Sequence, residues 1–151
     1  MLGRTVGNAG LVSGSYTGID AGTPDYQAGV NIPGTSFDGV VVYISYIGAN
    51  NGNCLGVHNR ALFGVQDDFN LISFARMTNC PSAGFLKVAE AHGIDSKIDD
   101  GEADKGFFYS ANTHNNNSNG DRCVDNNVQG TGGASYDFDQ SGESCRIIIK
   151  F

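Results

Sequence analysis

The sequence predicts an α+β domain: an antiparallel sheet of four or five strands, one short helix region, long Gly- and Asn-rich loops and two disulfides. Short β-branched and aromatic segments alternate with turn residues, as in strands of an antiparallel sheet. One segment alone has helical periodicity. The composition adds 22 glycines among 151 residues, with only 17% charged side chains. At this length, folding as one domain should bury about 70% of the surface of the unfolded chain.

The strongest strand signal lies at residues 39–47, where β-branched and aromatic residues make both faces mostly apolar. Such a strand is expected at the centre of a sheet. In the last strand, alternating apolar residues predict that Phe151 lies on the buried face and that the C-terminus is tied into the sheet. The further strands are predicted at residues 61–65, 70–77, 106–111 and 145–151.

The helix region is predicted at residues 81–98, with Ser82 as its N-cap. Gly93 weakens the middle by about 1 kcal/mol relative to Ala, so two shorter helices are an alternative. Gly101 is expected to end the helix in a left-handed conformation. The apolar stripe of this helix consists of Phe85, Val88, Ala91, Ile94 and Ile98.

Two regions differ in composition. Residues 1–36 carry eight glycines and are expected to form a loop-rich lead-in that docks on the rest of the domain or on a partner. Residues 37–151 contain the predicted strands and helix, and form the globular domain.

Charge and motifs exclude several function classes. Nine basic against 16 acidic side chains give a net charge of −7, which is unlike a nucleic-acid-binding surface. No apolar run approaches the ~20 residues of a membrane span. The chain has no G-x-S-x-G motif, and the glycines of residues 130–133 follow no predicted strand. We therefore predict no catalytic residues and no enzymatic activity.

The four cysteines are widely spaced, so they do not match the C-x-x-C pattern of zinc ribbons. Their even number and loop-rich surroundings favour two disulfides in an oxidising compartment. Three pairings are open. We prefer the sequential one because each pair then brackets one loop-rich segment, and the alternative is four buried thiols. The preferred pairs are Cys54–Cys80 and Cys123–Cys145.

An acidic cluster follows the predicted helix and raises the question of a calcium site, since calcium is bound by several oxygen ligands. Its spacing differs from an EF-hand loop. In the alternative, Asp95 and Asp99 accept backbone N–H bonds that shape the turn at Gly101, while Lys97 or Lys105 compensates their charge. Calcium is the only cofactor that the sequence suggests. The candidate ligands are Asp95, Asp99, Asp100, Glu102 and Asp104.

The helix end reads G-I-D-S-K-I-D-D-G over residues 93–101, and Gly106 opens the next strand. A Cys-bracketed loop and a terminal apolar strand follow. This order resembles the C-terminal globular part of bacterial type IV pilin-like proteins and type II secretion pseudopilins, loosely over residues 9–151. The most specific part is the motif Ile94, Asp95, Lys97, Asp99, Asp100, Gly101 and Gly106.

The resemblance implies a structural subunit: the outer, globular portion of an extracellular filament at the cell surface, with other pilin subunits as partners. Proteins of this group begin with an apolar helix that anchors them in the membrane and packs the filament core. This sequence lacks such a helix, so we expect that it was removed or is supplied by a separate short chain. The alternatives are a periplasmic pseudopilin and a secreted sugar- or calcium-binding module, the sugar version being suggested by six tyrosines.

Overall fold

The computed structural model describes residues 28–30, 32–47, 69–77, 81–112, 122–125 and 134–151. Within these ranges the chain forms one antiparallel sheet of six strands, two of them only two or three residues long, and one α-helix. The predicted α+β class and antiparallel sheet are thereby confirmed. The elements are β1 Val40–Ile47, β2 Phe69–Met77, β3 Pro81–Ala83, β4 Leu86–Lys87, α1 Val88–Ile98, β5 Phe108–Ala111 and β6 Glu143–Lys150.

The strand order is β1-β2-β6-β4, with β3 also pairing with β2 and β5 with β6. Within the described ranges β1 therefore lies at the end of the order, and the prediction that it is central is wrong. Apolar residues on both faces of a strand indicate that both faces of the sheet are covered. They do not indicate which strands lie on either side of it, because neighbouring strands are joined by backbone hydrogen bonds. The outer edge of β1 is joined by the preceding segment: Val42 N donates to Pro33 O and Thr35 N to Val40 O, both at 2.9 Å.

The pairing of β1 with β2 is antiparallel and without a shift, from Val40 opposite Arg76 to Ile47 opposite Phe69. The strand predicted at residues 61–65 lies outside the described residues. The predictions at residues 70–77, 106–111 and 145–151 are confirmed as strands, with ends that differ by two residues or fewer.

The helix begins at Val88, seven residues later than predicted, because the preceding residues form β3 and β4 instead. Ser82 is consequently not its N-cap. Lys87 occupies that position, and its backbone N–H donates to Glu90 Oε2 at 2.9 Å. Gly93 lies inside one continuous helix, so the alternative of two shorter helices is also wrong.

The buried face of α1 is rotated from the predicted stripe. Val88, Ala91 and Asp95 are buried, while Ile94 and Ile98 are 37% and 48% exposed. At 3.6 residues per turn, Ile94 lies roughly a quarter turn from the centre of the buried face. A carboxylate thus takes a position that the apolar pattern assigned to isoleucine.

The core lies between α1 and one face of the sheet. Phe85, Val88 and Ala91 pack there with Phe108 and with alternate residues of β6. The other face of the central strands is buried as well, for Leu71, Ser73 and Ala75 are each 0% exposed. The same cluster of buried residues also contains Val40, Leu86, Cys123, Val124, Tyr136, Cys145 and Ile147.

The last strand carries a buried cation. Arg146 is 1% exposed, and burial lowers the pKa of its guanidinium, an effect that Tyr43 opposes. At the end of the chain, Phe151 N donates to Asn70 O at 3.1 Å, so the backbone is tied into the sheet as predicted. The Phe151 ring, however, is 64% exposed, and its predicted place on the buried face is wrong because the strand ends at Lys150.

A disulfide joins Cys123 to Cys145 with the Cα atoms 4.8 Å apart, which confirms one predicted pair. It links a short loop segment to β6. The second predicted pair falls on Cys54 and Cys80, which lie outside the described residues, and it stays a prediction.

Candidate functional site

The acidic motif joins the end of α1 to the start of β5. Asp95, in the last turns of the helix, is 0% exposed. Its Oδ1 atom accepts the Gly101 backbone N–H at 3.2 Å, and its backbone oxygen accepts the Asp99 N–H at 2.7 Å. Asp95 therefore closes the helix through its side chain and its backbone together. Gly101 has φ +78°, as the predicted left-handed conformation requires.

Asp99 holds the beginning of β5. Its Oδ2 atom accepts two neighbouring backbone N–H groups, from Phe107 at 2.6 Å and from Phe108 at 2.8 Å. Gly106 precedes this pair with φ +67°, and a Cβ atom at that position would collide with the Asp99 carboxylate. The second glycine of the motif is thus required both by its backbone conformation and by the close approach of Asp99.

The other acidic residues of the cluster point to separate partners. Asp100 Oδ1 accepts the Glu102 N–H at 2.8 Å. Glu102 forms an ion pair with Lys105, and this hydrogen bond raises the pKa of the exposed lysine. Asp104 Oδ2 accepts the Ala134 N–H at 3.0 Å and so fixes a distant segment.

Tyr136 connects the motif to the segment that follows the disulfide loop. Its hydroxyl donates to Asp95 Oδ2 at 2.8 Å and lies 3.0 Å from Ser110 Oγ. The His92 ring stands edge-on to the Tyr136 ring, with centroids 5.1 Å apart. Helix α1, strand β5 and the 134–137 segment therefore meet at one phenol.

The disulfide loop positions this phenol. Asn112 Oδ1, directly after β5, accepts the N–H groups of Cys123 at 2.6 Å and Val124 at 2.9 Å. Val124 forms an antiparallel bridge with Tyr136, and the Asp137 N–H donates to Cys123 O at 3.0 Å. Since Cys123 is bonded to β6, the placement of Tyr136 depends on a covalent link to the sheet.

The electrostatics of the site follow from burial. Burial raises the pKa of Asp95; the bonds from Tyr136 and Gly101 oppose this, and the nearby charges of Asp100 and Asp99 reinforce it. Burial also raises the pKa of Tyr136, as does its bond to Asp95, while the Ser110 bond acts the other way. Both groups are held in a water-poor environment where their hydrogen bonds are strong.

The structure brings together three of the five candidate calcium ligands. Oxygen atoms of Asp95, Asp99 and Asp100 lie within 4.8 Å of one another. Carboxylate oxygens are suitable calcium ligands. In Asp95 both oxygens already accept hydrogen bonds, and in Asp99 one oxygen accepts two, so a cation would have to share them. Glu102 and Asp104 are outside the group, with the partners given above.

Sequence reasoning did not assign a role to Tyr136, Ser110 or Asn112. Each forms a hydrogen bond with a residue 11 or more positions away, so the local sequence pattern does not predict the contact. The one usable signal was Asp95 itself. A carboxylate between Ala91 and Ile98 on an amphipathic helix lies near the buried face, and a buried carboxylate needs donors.

No protein-family model, curated protein or solved structure matches this chain. Among the described residues, the single helix is too short and too polar to cross a membrane.

Proposed function

We propose that this protein is a structural subunit, the globular outer portion of an extracellular pilus-like filament. The observation that carries the proposal is that side chains of the acidic motif bind the backbone of the domain. Asp95 and Asp99, two residues of the motif that resembles pilin-like proteins, accept hydrogen bonds from the backbone N–H groups of Gly101, Phe107 and Phe108. Carboxylates engaged in this way shape a fold and are poorly placed for chemistry on a substrate.

The arrangement suits a subunit that must keep its shape outside the cell. The Cys123–Cys145 disulfide, the Asn112 bonds and the Tyr136 contact fasten the same region to β6, β5 and α1 respectively. If one of these three attachments is lost, the other two still connect the region to the rest of the domain. Redundant attachment of this kind favours a fixed surface, which repeated packing of identical copies requires.

Assembly needs contact surfaces and a helical core. Exposed apolar side chains on the described surface offer the first, among them Phe37 at 54% and Phe138 at 58% exposure. The helical core would require an apolar helix, and no helix among the described residues is long and apolar enough for that role. In this proposal the partners are further copies of the subunit and, where the apolar helix belongs to a separate short chain, that chain.

The proposal is tested by electron microscopy of cells that make the protein with an epitope tag, labelled with gold. We expect gold along filaments at the cell surface, and filaments absent when the gene is deleted. Tagged protein spread through the medium without filaments would overturn the proposal. Label confined to the periplasm would favour the pseudopilin alternative instead.

A calcium-binding module is the second candidate, favoured by the 4.8 Å grouping of Asp95, Asp99 and Asp100. Calorimetric titration with calcium and the thermal unfolding midpoint in calcium against chelator distinguish the two. A purely structural motif gives no heat and an unchanged midpoint. Saturable heat that is lost in Asp100→Asn would establish the metal site, because this change removes an exposed charge and keeps an oxygen that can accept the Glu102 N–H. The sugar-binding version has no comparable geometric support among the described residues.

A further inference from the structure

We draw no further inference here: the strongest candidate, the surface patch formed by the exposed Phe138 against the half-buried His92 ring of helix α1, is an apolar face among the described residues and nothing in the structure shows what covers it.

Discussion

The Tyr136 hydroxyl donates a 2.8 Å hydrogen bond to Oδ2 of the buried Asp95, joining residues 41 positions apart. The Tyr136 hydroxyl oxygen also lies 3.0 Å from Ser110 Oγ, so this one atom contacts both helix α1 and strand β5. A hydrogen bond to a buried charged group contributes more than one between neutral groups. This contact is therefore the point where the helix, the sheet and the disulfide loop are held in register.

Replacing Tyr136 by Phe removes this hydroxyl and keeps the ring. We expect a loss of about 2 kcal/mol in the free energy of unfolding, because Asp95 stays buried without the hydrogen bond that the Tyr136 hydroxyl donates to it. Urea unfolding measures the loss. Ser110→Ala and the double variant complete a cycle, in which the two changes should be non-additive. Strict additivity would mean that the two hydroxyls do not act together.

The charge of Asp95 should make stability depend on pH. Its folded-state pKa lies above the ordinary 3.8, so the folded state resists ionisation more than the unfolded state does. As the pH rises from about 3.8 through the raised pKa, Asp95 ionises more readily in the unfolded chain, and the folded state loses stability.

Asp95→Asn removes this charge and keeps an oxygen to accept the Gly101 N–H. The unfolding midpoint of the variant minus that of the wild type should therefore grow as the pH rises from about 3.8 through the raised pKa of Asp95, and level off above that pKa. Circular dichroism melting at several pH values measures it. A difference that shrinks with rising pH would show that the carboxylate is stabilised, and not penalised, by its surroundings.

Two glycines of the motif region give a matched pair of substitutions. Gly106→Ala forces a left-handed conformation that costs about 1–2 kcal/mol and pushes against the Asp99 carboxylate. Gly93→Ala places its methyl group in open space on a helix and should stabilise the protein by about 1 kcal/mol. Chemical denaturation of both variants checks the opposite signs. Equal effects would contradict the described backbone.

The Cys123–Cys145 disulfide should resist reduction while the domain is folded, because both cysteines are 0% exposed. The reduction rate with excess dithiol should therefore follow unfolding and rise steeply with denaturant. Changing both cysteines to Ala should lower stability by roughly 3 kcal/mol. Trapping of free thiols with mass spectrometry measures the rate. Fast reduction without denaturant would place the sulfurs at the surface.

The strands were predictable where a local pattern decides them. Val40–Ile47 and Glu143–Lys150 are dense in β-branched residues, which suit a pleated surface whatever their neighbours. Lateral order was not predictable, since β1 looks like a central strand and lies at the end of the described order. The start of α1 was missed for a related reason: Pro81–Ala83 pairs with the preceding strand β2 and Leu86–Lys87 with the distant strand β6, and this strand pairing overrides the helical periodicity there.

In the candidate site, the turn that follows helix α1 was predictable and the contact with Tyr136 was not. Gly101 has the predicted left-handed conformation, and Asp95 accepts a backbone N–H at that turn, as the structural alternative to calcium binding expected. Asp99 also bonds to the backbone, but at the start of β5 and not at the Gly101 turn. The charge compensation was partly wrong, since Lys105 pairs with Glu102. Tyr136 could not be foreseen, because its contact depends on a fold that closes over 41 residues.

The acidic motif binds the backbone at the start of β5, and amide hydrogen exchange of Phe107 and Phe108 measures this binding. Both N–H groups donate to Asp99 Oδ2. In the wild type we expect slow exchange at both. In Asp99→Ala both amides should lose protection, while the Val42 amide, which donates to Pro33 O, keeps it as an internal reference. Asp99→Asn, which keeps an acceptor oxygen, should retain part of the protection. Fast exchange in the wild type, or unchanged protection in Asp99→Ala, would show that the Asp99 carboxylate does not hold these two amides.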